Sequence, residues 1–568
     1  MHSRIINIWH LICLGLFLAT AGCTQPPTGV GIKPTDRILF VGDSITGQGG
    51  NGGFVVMMRA AYKEVHPDAT TTFIPLGGSG QTVGSWTYME KSTRDKDAKD
   101  SDLDVKGFGL KSNLDQPADV VIIMLGMNDI LSPSMGAQTA DFDRWAAQYT
   151  TLVTALRDRM KPPVDATGAA PATQPDQVKP RIIALATFTN NTDDMNSPKN
   201  IVRAELNKRV VEIARTNGCV LLPVGQAVEA LLYEGRTLQS DFHVTGDMVH
   251  PNQFGHAAIA QSMLAGLGET VAAKKVEEKY LTPFFNNPKL YPALSYTLEL
   301  IATPLTDNQV TYKVNYWWTP VLTQKTPISE VTLQVPAAWT VTPAVQKTSA
   351  GTFTITGTPD KLVNVLTLRA QSGDLSKELT INIPAPWLIG SGIVSYEAWP
   401  GQKFSVEGSK LPFEAALIKG ESLGEPQTLK NGQSMEWKRY SASVNYVGGS
   451  DPGSVDLTQV SFARTFEAAY CARWIYSPTE RPLNLETGAN TFAGSPALTI
   501  YMNETQCYSD VLKRTTITTT LNKGWNLLLV RSNHFQWQWQ FFCKISGAAG
   551  DDLSDLRFSA ASKRPETK

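Results

Sequence analysis

Between residues 37 and about 270, short apolar runs alternate with amphipathic stripes. "RILFV" (37–41), "TTFIPL" (71–76), "DVVIIML" (119–125), "RIIALAT" (181–187) and "CVLLPV" (219–224) are almost continuously apolar. Such runs belong to strands buried on both faces, as in a parallel sheet covered by helices. Between them the period lengthens. Phe54, Met58, Ala61 and Val65 recur at intervals of four, three and four, and Ala257, Ala260, Leu264 and Leu267 at three, four and three, so each set lies on one helical face. The alternation predicts a three-layer, doubly wound α/β domain with right-handed crossovers over residues 37–272. Two insertions, the charged "EKSTRDKDAKDSD" (90–102) and the Pro/Ala-rich segment 161–180, read as surface loops.

Beyond "KKVEEKYLTPFFNNPKLYP" the period shortens to two. "VTLQV" (331–335) and "LTINI" (379–383) alternate apolar with polar residues, which predicts an immunoglobulin-like β-sandwich over 290–388. A second all-β sandwich is expected over 389–560, where "FQWQWQF" (535–541) sets Phe535, Trp537, Trp539 and Phe541 on one face. Its later part, with "LTIYMNE" and "LNKGWNLLLVRSN", resembles the β-sandwich appendages of secreted carbohydrate-active proteins.

Length and charge narrow the class. At 568 residues the chain exceeds a single core, and 42% apolar with 18% charged residues describes a globular protein. A net charge of -1 gives no electrostatic reason to expect nucleic acid as a partner. At the amino end, Arg4 precedes the apolar "LICLGLFLA" (11–19) and the small residues of "TAGC" before Cys23. This stretch resembles a bacterial lipoprotein signal, which implies removal of residues 1–22, a lipid on Cys23, and export to the periplasm or cell surface with a membrane tether. An ordinary secretory signal, giving a secreted protein, is the alternative. Of the remaining cysteines, Cys219 lies in a strand-like run, and Cys471, Cys507 and Cys543 allow at most one disulfide of open pairing. No C-x-x-C or histidine cluster accompanies them, so no metal site is expected.

The chemistry gathers in four blocks: "GDS" with Ser44 after the first predicted strand, "GGSGQT" (77–82), "LGMNDI" (125–130) and "DMVHPNQFGHAAIA" (247–260). Each lies at the carboxyl end of a strand or at a helix start, where an open α/β sheet has its ligand crevice. In this order they resemble the SGNH (GDSL) hydrolase family, which implies an SGNH-like, flavodoxin-like fold and an enzyme without metal or organic cofactor. The resemblance assigns Ser44 as nucleophile and Asp247 with His250 as its activating pair. It assigns the backbone N–H groups of Ser44 and Gly80 and the side-chain amide of Asn128 to the oxyanion hole. Pro75 and Gly78 depart from the usual second block, where asparagine and an apolar residue are common.

Elementary chemistry fits those roles. A serine hydroxyl needs a base, and an imidazole with a pKa near 6.5 can serve at neutral pH. A carboxylate on the other ring nitrogen holds the tautomer and stabilises the imidazolium. Pro251 biases His250 toward extended backbone and can open the following helix. Asp43, Asp129, His243 and His256 are expected to be structural. The resemblance allows short-chain esters, acetylated polysaccharides, lysophospholipids or thioesters as substrates. Ten of the thirteen tryptophans follow residue 300, so an acetyl ester on a small molecule or polysaccharide is the expected partner. A lysophospholipase or thioesterase, and a surface glycan-binding protein with a vestigial hydrolase domain, are the alternatives.

Overall fold

The computed structural model describes residues 31–566 except 100–108, 133–134, 160–179, 302, 323–329, 395–410, 431, 442–452, 462–466, 489–496, 512–513 and 535–538. The expected signal, Cys23, almost all of the 161–180 insertion, Phe535 and Trp537 lie outside the described residues.

Five strands, β1 (Arg37–Gly42), β2 (Thr72–Gly77), β3 (Val120–Met124), β4 (Ile182–Ala186) and β5 (Val220–Leu222), form an all-parallel sheet in the order β2-β1-β3-β4-β5. Burial follows position in the sheet. Every residue of β3 is buried, whereas the edge strands β2 and β5 keep half-buried positions. The helices Phe54–Val65, Val224–Leu238 and Gln253–Gly266 form one packed layer, and Val83–Ser92, Thr139–Arg159 and Pro198–Thr216 the other. Both predicted stripes face the core: Phe54, Met58 and Ala61 are buried with Val65 packed beside them, and Ala257, Ala260, Leu264 and Leu267 are fully buried.

Strand order places the site. The chain passes from β1 outward to β2 and then returns to β3 on the other side of β1, so the loops after β1 and β3 diverge and leave a crevice at their carboxyl ends. Ser44 follows β1 and Asn128 follows β3. The segment 90–102 departs from the loop expectation at its start. Glu90 lies within the helix Val83–Ser92, only 3% exposed, because Arg94 at 2.7 Å and Arg159 at 3.5 Å neutralise its carboxylate.

The rest of the chain is antiparallel. Two four-stranded sheets share a core across residues 293–384, with Tyr312, Val314, Tyr316 and Trp318 pointing inward from one alternating strand. An eight-stranded and a four-stranded sheet follow. The strand Trp387–Val394 belongs wholly to the larger sheet, pairing with Ser434–Tyr440 and Glu467–Ser477, so a boundary at 388 cuts through it. Cys471, Cys507 and Cys543 are free thiols, and burial pushes Cys543 up to about 12.

Candidate active site

β1 ends at Gly42, and the chain turns directly into the helix Ser44–Gly50. Asp43 makes the turn: its side chain accepts the Ile45 N–H at 2.9 Å as N-cap, leaving Ser44 at the first helical position, where a backbone N–H has no intrahelical partner. The neighbouring strand end must approach closely, and Gly77 allows it, since a Cβ there would lie 2.4 Å from Gly47 N and 2.5 Å from Asp43 O. Asp43 is 2% exposed, and burial pushes its carboxyl up to about 7 against the opposing Ile45 N–H and the charge of His250.

The loop after residue 242 supplies the partner groups. Ser44 Oγ lies 2.9 Å from His250 Nε2, and His250 Nδ1 lies 2.7 Å from Asp247 Oδ2. The second oxygen of Asp247 accepts the backbone N–H groups of Val249 at 3.1 Å and His250 at 2.7 Å, so one carboxylate fixes both the ring and its own loop. Burial raises the Asp247 carboxyl, but the His250 hydrogen bonds and charge outweigh it and leave its pKa below the usual range. Burial pulls the His250 imidazole down, yet Asp247, with Asp43 behind, holds its pKa above the ordinary value. His256, buried nearby, is held down at about 4 by desolvation and by His250, so it stays neutral.

The loop is clamped from beneath. Met248 is left-handed at φ 73°, a conformation that costs a non-glycine residue about 1 kcal/mol or more. Its carbonyl accepts Thr192 N–H at 2.7 Å and Asn191 Nδ2 at 3.1 Å, and Gly246 N–H donates to His250 O at 2.7 Å. Asp193 lies behind, at 3.1 Å from His243 Nδ1, and Asn252 caps the following helix while its amide donates to His243 O. The run "TNNTDD" (189–194) therefore builds the floor of this loop. Its concentration of turn-forming side chains just after β4 was the available signal, and sequence reasoning did not use it.

The second and third blocks meet each other beyond the ends of β2 and β3, the two strands that flank β1. Gly80 adopts φ 74°, the left-handed region that favours glycine, with open space beside its Cα. Asn128 donates from Nδ2 to Gln81 O at 3.0 Å, which ties it to the Gly80 loop and leaves its second N–H for another acceptor. Asp129, 6% exposed, receives the Val83 N–H on both oxygens at 3.2 and 3.3 Å, so it caps the start of a neighbouring helix rather than its own. Its carboxyl is pushed up to about 7, chiefly by desolvation. The structure thus brings Ser44, His250 and Asp247 into one hydrogen-bonded chain, and separately ties Asn128 to the Gly80 loop.

A hydroxyl in contact with an imidazole that is itself held by a carboxylate is the arrangement of a serine hydrolase. Residues 40–258 match the model of the GDSL-like Lipase/Acylhydrolase family, a span that contains all four blocks. The α/β domain is a hydrolase domain of this GDSL/SGNH type, and the protein is an ester-cleaving enzyme. Among solved structures, the chain is similar to a catalytic mutant of Axe2, an acetylxylan esterase from Geobacillus stearothermophilus. Identity is 19%, covering 41% of this chain and 94% of that one, with a TM-score of 0.29. It is also similar to LAE5, an alpha/beta hydrolase enzyme from the metagenome of Lake Arreo, Spain, at 19% identity over 41% and 96% of the two chains, with a TM-score of 0.29. No curated protein matches the chain.

The tryptophans bear on the substrate. Of those after residue 300, Trp318, Trp339, Trp387, Trp437, Trp474 and Trp539 are buried in cores, while Trp317 and Trp525 are half-buried. Trp399 and Trp537 lie outside the described residues. The expectation of an aromatic platform therefore rests, among the described residues, on two side chains. The others pack because their large apolar area is worth more inside a sandwich than on it.

Proposed function

We propose that the protein is an exported esterase, tethered through Cys23, that removes small acyl groups, acetyl above all, from carbohydrate esters through an acyl-Ser44 intermediate. The observation that carries the catalytic part is the unbroken chain Ser44 Oγ, His250, Asp247 at 2.9 and 2.7 Å. His250 takes the Ser44 proton as Oγ attacks the ester carbonyl, forming the tetrahedral oxyanion. The Ser44 and Gly80 N–H groups and the second N–H of Asn128 receive that negative charge. His250 then gives the proton to the departing alcohol, leaving acyl-Ser44. Water, deprotonated by His250, attacks the acyl carbon, and the carboxylic acid leaves as Ser44 recovers its proton. Asp247 stays ionised and stabilises the imidazolium in both halves.

The preference for carbohydrate is supported by the appended sandwiches and by Trp525, which lies edge-on to half-buried Tyr476 at 5.4 Å. Fluorophosphonate labelling of wild type beside Ser44→Ala tests the nucleophile: labelling and turnover should vanish in the variant while its circular dichroism is unchanged. A labelled, active Ser44→Ala protein would refute the assignment. A panel of acetylated xylan fragments, p-nitrophenyl esters of rising chain length and lysophospholipids tests the substrate, and a preference for long acyl chains would overturn it.

A further inference from the structure

The carboxyl-terminal sandwich reaches the hydrolase domain directly behind the catalytic loop. Met248, between Asp247 and Val249, is 3% exposed, and its sulfur meets the side-chain amide of Gln540 across 292 residues of sequence. Gln540 is itself 2% exposed and opens the strand Gln540–Gly547, where it pairs with Asp456. Trp539 beside it is fixed by an Nε1 hydrogen bond to Ser532 Oγ at 2.8 Å and by stacking on His534. Gln540 thus sits between a strand pairing and a hydrogen-bonded, stacked tryptophan.

A second contact is found across the site. Lys199, 1% exposed, donates to Ile130 O at 3.2 Å, on the short helix that carries Asn128. Burial lowers its ammonium to about 8, opposed by the charge of Glu467 on the sandwich strand Glu467–Ser477. The Asn128 helix thus reaches the sandwich through Lys199, whose own helix Pro198–Thr216 packs against residues Leu457–Gln459.

We propose that Gln540, acting through Met248, is a positioning residue for the Asp247–His250 loop, so that the carboxyl-terminal sandwich is a built-in brace of the esterase site. This rests on the reading of Ser44, Asp247 and His250 as the catalytic set. The left-handed backbone of Met248 is what turns the chain so that Asp247 faces back to the His250 ring. The Thr192 and Asn191 hydrogen bonds hold the carbonyl of Met248, and Gln540 holds its side chain. Without Gln540 the loop can relax toward ordinary backbone angles and carry the carboxylate away from Nδ1.

The test uses the full chain and p-nitrophenyl acetate. Gln540→Ala should lower kcat about tenfold or more with KM within about twofold, since the loss is of alignment rather than of binding. Met248→Leu, which keeps the bulk and removes the sulfur, should do the same. The exchange Gln540→Met with Met248→Gln, which restores an amide against a thioether, should recover most of the loss. An unchanged kcat per folded molecule in Gln540→Ala, or an exchange no better than the single variants, would overturn the brace. A readout free of turnover separates this from failure of the catalytic reading. The downfield ring proton of His250, assigned by its absence in Asp247→Ala, should weaken or vanish in Gln540→Ala, and its persistence unaltered would overturn the brace. Wild type that resists fluorophosphonate would instead sink the catalytic reading alone.

Discussion

Two carboxylates in this molecule, one buried and one half-buried, meet cations and serve opposite ends. In the second sandwich Glu414 receives Arg531 at 2.9 and 3.0 Å and Tyr470 Oη at 3.1 Å, with both members of the ion pair under 10% exposed. In the hydrolase domain Asp247 receives His250 at 2.7 Å, with the two side chains 35% and 20% exposed. The first cluster is closed, and its cation is a guanidinium, a fixed fork of donors with no acceptor. The second is open at one end, and its cation forms when the imidazole of His250 takes the Ser44 proton. Buried polarity turns into chemistry only where the partner can titrate and the chain of contacts ends on an accessible nucleophile.

The contrast can be tested from either side. Asp247→Asn should cost about 10⁴ in kcat, because the amide favours the wrong imidazole tautomer, with little change in thermal unfolding. Asn128→Ala should cost about 10²–10³ in kcat with KM nearly constant, since its free N–H is needed only once the oxyanion develops. The activity profile should fall on the acid side. His250 acts as base when neutral, and its pKa lies above the ordinary 6.5, so kcat/KM should drop about tenfold per pH unit below a midpoint higher than 6.5. A midpoint below 6.5 would show that Asp247 does not control the imidazole. Smallest of all, Glu414→Gln should leave kcat within about twofold, yet it should destabilise the fold by about 3–5 kcal/mol by stranding part of the Arg531 charge. A large loss of kcat there would erase the distinction between the two clusters.

What could be read from the chain followed local physics. The strands of the α/β domain are legible because burial on both faces leaves continuous apolar runs, and the four blocks draw attention because they follow such runs or, for Asp247 and His250, precede a helix. The middle of the site was harder. Asp129 next to Asn128 looks like a cap for its own helix, and only the fold shows it reaching Val83 on another. Glu90 sat in a charged stretch that reads as solvated, and its partner Arg159 lies 69 residues away. Tryptophans raise an expectation of ligand stacking that composition alone cannot settle, because core and platform use the same side chain. Gln540 gave no signal at all: a polar residue in an alternating strand reads as an outward face, and here the outward face is another domain.

The contact between Met248 and Gln540 also has a consequence in time. Domains fold from the amino end as a chain is made, at roughly 5–20 residues per second, so about 15–60 seconds separate the emergence of these two residues. During that interval the nascent hydrolase already holds Ser44, Asp247 and His250 but lacks the strand that steadies them. On the brace proposal, the emerging hydrolase domain works at about a tenth of its final rate until Gln540 has packed behind Met248.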